Sequence, residues 1–280
     1  MIKNIGIIGG TGNMGSCFRN AFESLGINIQ VSDINSKDKE DHIIENSDWI
    51  ILTVPINETL KVFKNIKNKI KKNQIFSDFT SVKSILANDI NNCNFEFISC
   101  HPLFGPLNNL KGQNIVTIPI VSKEKHPLII EVFEKIGLKI TELKSFKEHD
   151  EYMSLIQGMT HFSHVCFTTA MKKLNPDLDK IMEICSPIYQ SNISFSSRIT
   201  GGDENLYTNI IMDNPLNKKV IELYLETAKE LFEKIKIDDH ESFKKNFVEN
   251  RKYLKNHLNK MINQSDFLVN KMAEFKNKPK

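Results

Sequence analysis

The chain opens with a short apolar run, Ile5 to Ile8, that passes directly into "GGTGNMG". Gly10, Gly12 and Gly15 stand there as G-x-G-x-x-G, between a strand pattern and a helix pattern. The first glycine permits a tight turn, the second lets backbone approach a pyrophosphate, and the third lets helix and strand pack closely. The N-terminus of the following helix offers unpaired N–H groups and a positive dipole end to phosphate. Gly10, Thr11, Gly12, Asn13, Met14 and Gly15 thus read as a dinucleotide loop. Asp33 closes the second strand pattern, where an acidic residue hydrogen-bonds the ribose 2′-hydroxyl of NAD and repels the 2′-phosphate of NADP.

Up to residue 147, β-branched runs alternate with helix-like stretches: "NIGII", "INIQVSD", "WIILTVP", "QIFSDF", "FEFIS", "NIVTIPIV" and "LKITEL". Most are apolar throughout, as in strands buried on both faces of a parallel sheet. A doubly wound α/β domain over residues 1–147 is expected. From Glu148 helical periods take over, so residues 148–280 read as an all-helical second domain. One long helix is expected through "HDEYMSLIQGMTHFSHVCFTTAMKKL", with Leu155, Met159, Phe162 and Cys166 on its apolar face and a stop at Asn175-Pro176.

The charge balance, 37 basic against 34 acidic residues, provides no argument for nucleic acid or an anionic membrane as partner. Five cysteines without a CxxC pair fit free thiols. With neither a leader pattern nor an apolar run of the ~20 residues a spanning helix needs, a cytoplasmic location is expected.

In an open α/β sheet, ligands bind beyond the carboxyl ends of the strands. Three segments end strand patterns in this way: "LTVP" with Val54 and Pro55, "SDFTSVK" with Asp78 and Ser81, and "HPLFGP" with His101. They are expected to converge on a nicotinamide. An imidazole can accept a proton near neutral pH; Pro102 stiffens its backbone and Gly105 permits a sharp turn. A hydrogen-bonded structural histidine is the alternative. Cys100 reads as a small buried hydrophobe. Further on, Gln157, His161, His164 and Thr168 form a polar stripe at spacings of four, three and four on a helix. His161 and His164 lack further ligands in view, so no metal is expected.

The ordered set "GGTGNMG", "VPI", "SDFTSVK", "HPLFGP", "EHDEYMSLIQGMTHF", "SPIYQ" and "RITGGDENLYTNIIMDN" resembles the prephenate dehydrogenase family over nearly the whole chain. It is similar in particular to the dehydrogenase portion of the bifunctional chorismate mutase–prephenate dehydrogenases. No mutase activity is expected, because Met1 leads straight into the first strand. The resemblance implies a Rossmann-type NAD-binding domain and a helical substrate and dimerisation domain. It also implies a homodimer, and NAD-dependent oxidative decarboxylation of prephenate in tyrosine biosynthesis. By the same resemblance His101 and Ser81 are catalytic, His101 taking the hydrogen bond or proton of the ring hydroxyl and Ser81 orienting both. Arg198 binds a substrate carboxylate, and His161, Gln157 and Tyr207 lie near the substrate. Val54, Pro55 and Asp78 join the glycine loop and Asp33 at the cofactor. Lys83, Asp150 and Tyr189 are expected to shape the cleft or the dimer contact. An arogenate dehydrogenase, a β-hydroxyacid dehydrogenase and a non-catalytic nicotinamide-binding regulator are the competing readings.

Overall fold

The computed structural model describes residues 1–33, 37–90, 93–106 and 109–276, and divides into two compact units, Met1–Met153 and Ser154–Lys280. In the first unit all seven β-branched runs are strands: β1 Asn4–Ile8, β2 Asn28–Ser32, β3 Trp49–Leu52, β4 Ile75–Asp78, β5 Glu96–Pro102, β6 Asn114–Val121 and β7 Lys139–Glu142. They form one sheet in the order β2-β1-β3-β4-β5-β6-β7. Every pairing is parallel except β5 with β6, which is antiparallel. The sheet is therefore mostly parallel, with one reversal at β6. A run that is apolar throughout reports burial on both faces but not the direction of the neighbouring strand.

The alternation of side chains along each strand feeds two separate cores. On one face Ile5, Ile7, Trp49 and Ile51 pack with Phe18 and Phe22 of helix α1 (Asn13–Glu23). Phe133 of α4 (His126–Lys135), which follows α2 (Lys37–Asn46) and α3 (Ile56–Ile66) in the chain, completes that face. On the other face Ile8, Ile50, Leu52, Phe76 and Phe97 pack with Phe63 of α3 and Phe146 of α5 (Phe146–Met153). At about 1.5–3 kcal/mol for each large apolar side chain removed from water, these two layers are the main stabilisation of the unit.

The second unit is helical: α6 Thr160–Leu174, α7 Leu178–Ile184, α8 Pro187–Thr200, α9 Glu204–Asp213, α10 Asn217–Lys236, α11 His240–Leu254 and α12 Leu258–Lys276. Asp177, Ser186, Asp203 and Asp239 cap α7, α8, α9 and α11 with their side chains. The expected single helix around residue 155 is interrupted. A π-helical turn, Ser154–Met159, separates α5 from α6. A Cβ on Gly158 in that turn would lie 2.2 Å from Asn217 Oδ1. The Asn217 amide in turn donates to the carbonyls of Ile210 and Ile211 at 2.9 and 2.8 Å, closing the end of α9. Of the expected apolar face, Met159 and Phe162 are half-buried and Leu155 and Cys166 exposed. Among the described residues of this unit, Ile210 is the only hydrophobic side chain that is fully enclosed. Phe232, Ile235 and Phe247 are 55%, 58% and 62% exposed.

Candidate active site

Gly9, not Gly10, makes the tight turn after β1: its φ of 85° lies in the left-handed region, and its N–H donates to Ser32 O at 2.9 Å. At Gly15 a Cβ would meet Gly9 O at 2.6 Å and Gly10 Cα at 2.7 Å, so only glycine lets α1 start against the loop. Gly12 is the extended N-cap of α1, with no side-chain cap and no acidic residue in the first turn. The first N–H groups of α1 are left for an anion, and the donor set fits a pyrophosphate. Thr11 Oγ1 donates to Asp33 Oδ2, which places the carboxylate of Asp33 beside the loop. Val54 and exposed Pro55 lie between β3 and α3, and Pro55 is the N-cap of α3.

Asp78 ends β4, and its carboxylate is engaged inside the unit. The side chain is wholly buried, accepting from Lys83 Nζ at 2.6 Å, from Thr80 N at 3.1 Å and from the Ser99 hydroxyl. The carboxylate expected at the cofactor is thus engaged inside the unit by a lysine and two further donors. The ammonium of Lys83 is buried against Asp78 and the Cys100 carbonyl, the latter at 2.7 Å, and so holds the backbone just before His101. Cys100 is fully buried, and burial pushes its thiol up to about 12.

His101 lies in β5, two residues past Ser99 and opposite Val116 of β6. Its ring is buried, and its Nδ1 is 2.8 Å from Nε2 of His149. Nδ1 of His149 is 2.8 Å from Asp150 Oδ1. The Asp150 carboxylate also accepts from Lys83 N at 3.0 Å and Ser84 N at 2.9 Å. Burial, then the neighbouring His149 and Lys83, hold His101 well below the ordinary histidine range. Burial also lowers His149, against the pull of Asp150. For Asp150 burial works upward, but the hydrogen bonds from His149, Lys83 N and Ser84 N prevail and keep it ionised below the usual carboxylate range. Ser81 is half-buried, and among the described residues it makes no hydrogen bond to His101.

His149 is the residue that sequence reasoning missed. A signal for it existed. Phe146, His149 and Met153 recur at spacings of three and four, which puts the histidine on the buried face of α5.

In the second unit the polar stripe splits. His164 Nδ1 is 2.9 Å from the buried Ser196 hydroxyl, which joins α6 to α8, whereas Thr168 Oγ1 donates back to His164 O at 2.9 Å within α6. His161 differs: its Nδ1 is buried with no hydrogen-bond partner among the described residues, and burial lowers its pKa. Its ring meets Tyr207 edge-on, with centroids 5.1 Å apart. A Cβ on Gly202 would lie 2.5 Å from the Tyr207 ring and 3.3 Å from Arg198 O. Tyr207 is therefore wedged between His161 and the turn that follows Arg198. Arg198 is exposed in the last turn of α8, without an ion pair among the described residues. Gln157 lies in the π-helical turn, half-buried. Tyr189 bonds Met171 Sδ at 3.4 Å within the unit.

Residues 19–141 match the family model described as "Prephenate dehydrogenase, nucleotide-binding domain", and residues 145–250 the one described as "Prephenate dehydrogenase, dimerization domain". The chain is 30% identical over 270 residues to the "Probable arogenate/prephenate dehydrogenase" of Methanocaldococcus jannaschii, covering 89% of this chain and 60% of that one. It is 28% identical over 277 residues to the "T-protein" of Haemophilus influenzae, covering 98% of this chain and 73% of that one. The chain thus spans less than two thirds of the first relative's length. In fold it is similar to prephenate dehydrogenase from A. aeolicus in complex with hydroxyphenyl propionate and NAD+, with a TM-score of 0.68, 18% identity, and coverage of 90% and 96% of the two chains. Synechocystis arogenate dehydrogenase is similar to the same degree, with a TM-score of 0.68, 18% identity and coverage of 91% and 99%.

Proposed function

The chain belongs to the prephenate dehydrogenase family, and from that premise we propose that it oxidatively decarboxylates prephenate to 4-hydroxyphenylpyruvate. The observation that carries the reading is the imidazole of His101, buried at the carboxyl end of β5 in the unit that also holds the glycine loop, where burial lowers its pKa. Gly10 to Gly15 and Asp33 would hold NAD, by its pyrophosphate and its ribose, and NAD would supply the acceptor for the hydride that leaves the ring carbon bearing the hydroxyl. His101 accepts the hydroxyl proton, raising electron density at that carbon, and Ser81 orients the hydroxyl. Loss of the ring carboxylate as carbon dioxide leaves its electron pair to the ring, which becomes aromatic as the proton held on His101 returns to the oxygen. Aromatisation supplies driving force, so the protein's work is positioning and proton management. Arg198 grips a substrate carboxylate with two parallel hydrogen bonds, as a planar guanidinium can. His161, Tyr207 and Gln157 bind the remainder of the substrate.

The assembly proposed is a homodimer through the helical unit, supported by the apolar side chains that unit leaves exposed. Among the described residues no helix is long and apolar enough to cross a membrane.

Absorbance of NADH with purified protein, prephenate and NAD tests the reaction, repeated with arogenate and with NADP. NADH from prephenate supports the reading, and NADH from arogenate alone replaces it with arogenate dehydrogenation. A protein that binds NAD and stays silent on both substrates overturns both.

A further inference from the structure

The side chain of His149 is fully buried and meets two groups, Asp150 at Nδ1 and His101 at Nε2, each at 2.8 Å. An ionised carboxylate only accepts, so the Asp150 bond places the proton of His149 on Nδ1. Nε2 of His149 then carries a lone pair and can only accept, so His101 must donate from Nδ1. The lone pair of the His101 ring is thereby left on Nε2. The order of protons in three residues, two of them 48 positions apart in the chain, follows from one negative charge. That charge is itself anchored, because Lys83 N and Ser84 N hold Asp150 independently of His149.

We propose that His149, oriented by Asp150, is a positioning residue that keeps His101 in its Nδ1–H tautomer and so presents Nε2 as the proton acceptor for the substrate hydroxyl. The inference rests on the reading of His101 as the proton acceptor and adds the element that makes it one. A histidine free to choose its tautomer would spend part of its time with Nε2 protonated, unable to take a proton there. The logic is that of an acid that fixes the tautomer of a catalytic histidine, with a second imidazole interposed.

A role in packing alone is separable from this one. The Asp150 bonds to residues 83 and 84 would hold that loop without an imidazole at 149, and an apolar side chain of similar volume would fill its space. Only orientation of His101 requires an acceptor at the position of His149 Nε2.

The test combines histidine tautomers with kinetics. Protein labelled with 15N-histidine reports the tautomer of each ring through two-bond proton–nitrogen couplings at neutral pH, and the His101 signals are assigned by their loss in His101→Asn. Wild type is expected to show His101 as the neutral Nδ1–H form. In His149→Leu that preference is expected to disappear, and kcat to fall by about 10² or more, the scale of lost acid–base catalysis. The KM for substrate is expected to stay within about three-fold, since binding contacts are untouched. His149→Gln, whose side-chain carbonyl can accept from Nδ1–H, is expected to recover part of the tautomer preference and of kcat. The Nε2–H or charged form in wild type overturns the proposal, as does an unchanged kcat in His149→Leu or equal kcat in the Leu and Gln variants. If the leucine variant does not fold, wild type and His149→Gln decide. A wild-type protein silent on both substrates sinks the proposed reaction, whereas the tautomer measurement still decides the relay.

Discussion

The ammonium of Lys83 sits 2.6 Å from the carboxylate of Asp78, and neither side chain has any solvent exposure. The same ammonium holds the carbonyl of Cys100, the residue before His101, and the backbone N–H of Lys83 holds Asp150. Lys83 therefore ties the end of β4 and the end of β5 through its ammonium, and α5 through its backbone N–H, all within the first unit. Removing one partner of a buried ion pair strands a charge in the interior. Lys83→Met is expected to cost about 3–5 kcal/mol of stability, read from urea denaturation. Adding Asp78→Leu should return part of that loss, because the stranded charge goes with it. A single variant as stable as wild type would contradict this.

Cofactor choice is expected to lie with Asp33, whose carboxylate Thr11 holds beside the glycine loop. Asp33→Ser removes the negative charge that a 2′-phosphate would face. The ratio of kcat/KM for NAD over NADP should fall by about 10-fold or more, from the loss of a charged contact worth ~1.4 kcal/mol or more. An unchanged ratio would place the ribose elsewhere.

Arg198 has no ion pair among the described residues and stands exposed in the last turn of α8. Arg198→Ala is expected to raise the KM for substrate by about 10-fold or more, with a smaller effect on kcat, as loss of uniform binding does. Thermal stability should change little, since surface substitutions cost about ±0.5 kcal/mol. An unaltered KM would remove the residue from the binding role.

Burial lowers both His101 and His149. For a group whose folded pKa lies below its unfolded value, the stability it contributes is present above about 6.5 and is lost as pH falls from there towards the folded value. The melting temperature should therefore drop on acidification below the ordinary histidine range, less steeply in His101→Asn. By the same sign, NADH formation should persist below about pH 6.5, because His101 stays neutral there. An acid limb of kcat/KM above that value would contradict a buried neutral base.

The apolar side chains left exposed on the helical unit predict self-association. Light scattering at micromolar concentration should give the mass of a dimer, and Phe232→Lys together with Phe247→Lys should weaken it. A wild-type monomer would contradict the assembly.

Much of this protein was legible in its residues because the relevant physics is local. All seven strands of the first unit follow from short β-branched runs between glycine, proline and charged stretches, and the loop at residues 10–15 from glycines that backbone geometry requires. His101 could be singled out by its place at the end of a strand pattern, although β5 itself runs through it to Pro102. Other features escaped for identifiable reasons. An insertion of one residue per turn at Ser154–Met159 leaves composition unchanged, so a helical period could not show the π-helical turn, in which Gly158 packs directly on Asn217, far along the chain. The reversal at β6 was equally silent, because burial on both faces looks alike in parallel and antiparallel neighbours.

The sequence by itself therefore determined the elements, their order, the nucleotide loop and the candidate imidazole, all of which depend on neighbours within one turn or one strand. Only the tertiary structure decided that Asp78 is spent on Lys83, that His164 belongs to packing while His161 does not, and that Asp150, His149 and His101 stand in line. A hydrogen bond depends on distance and angle between particular atoms, and for residues 48 apart in the chain those are set by the folded sheet and the helix packed against it.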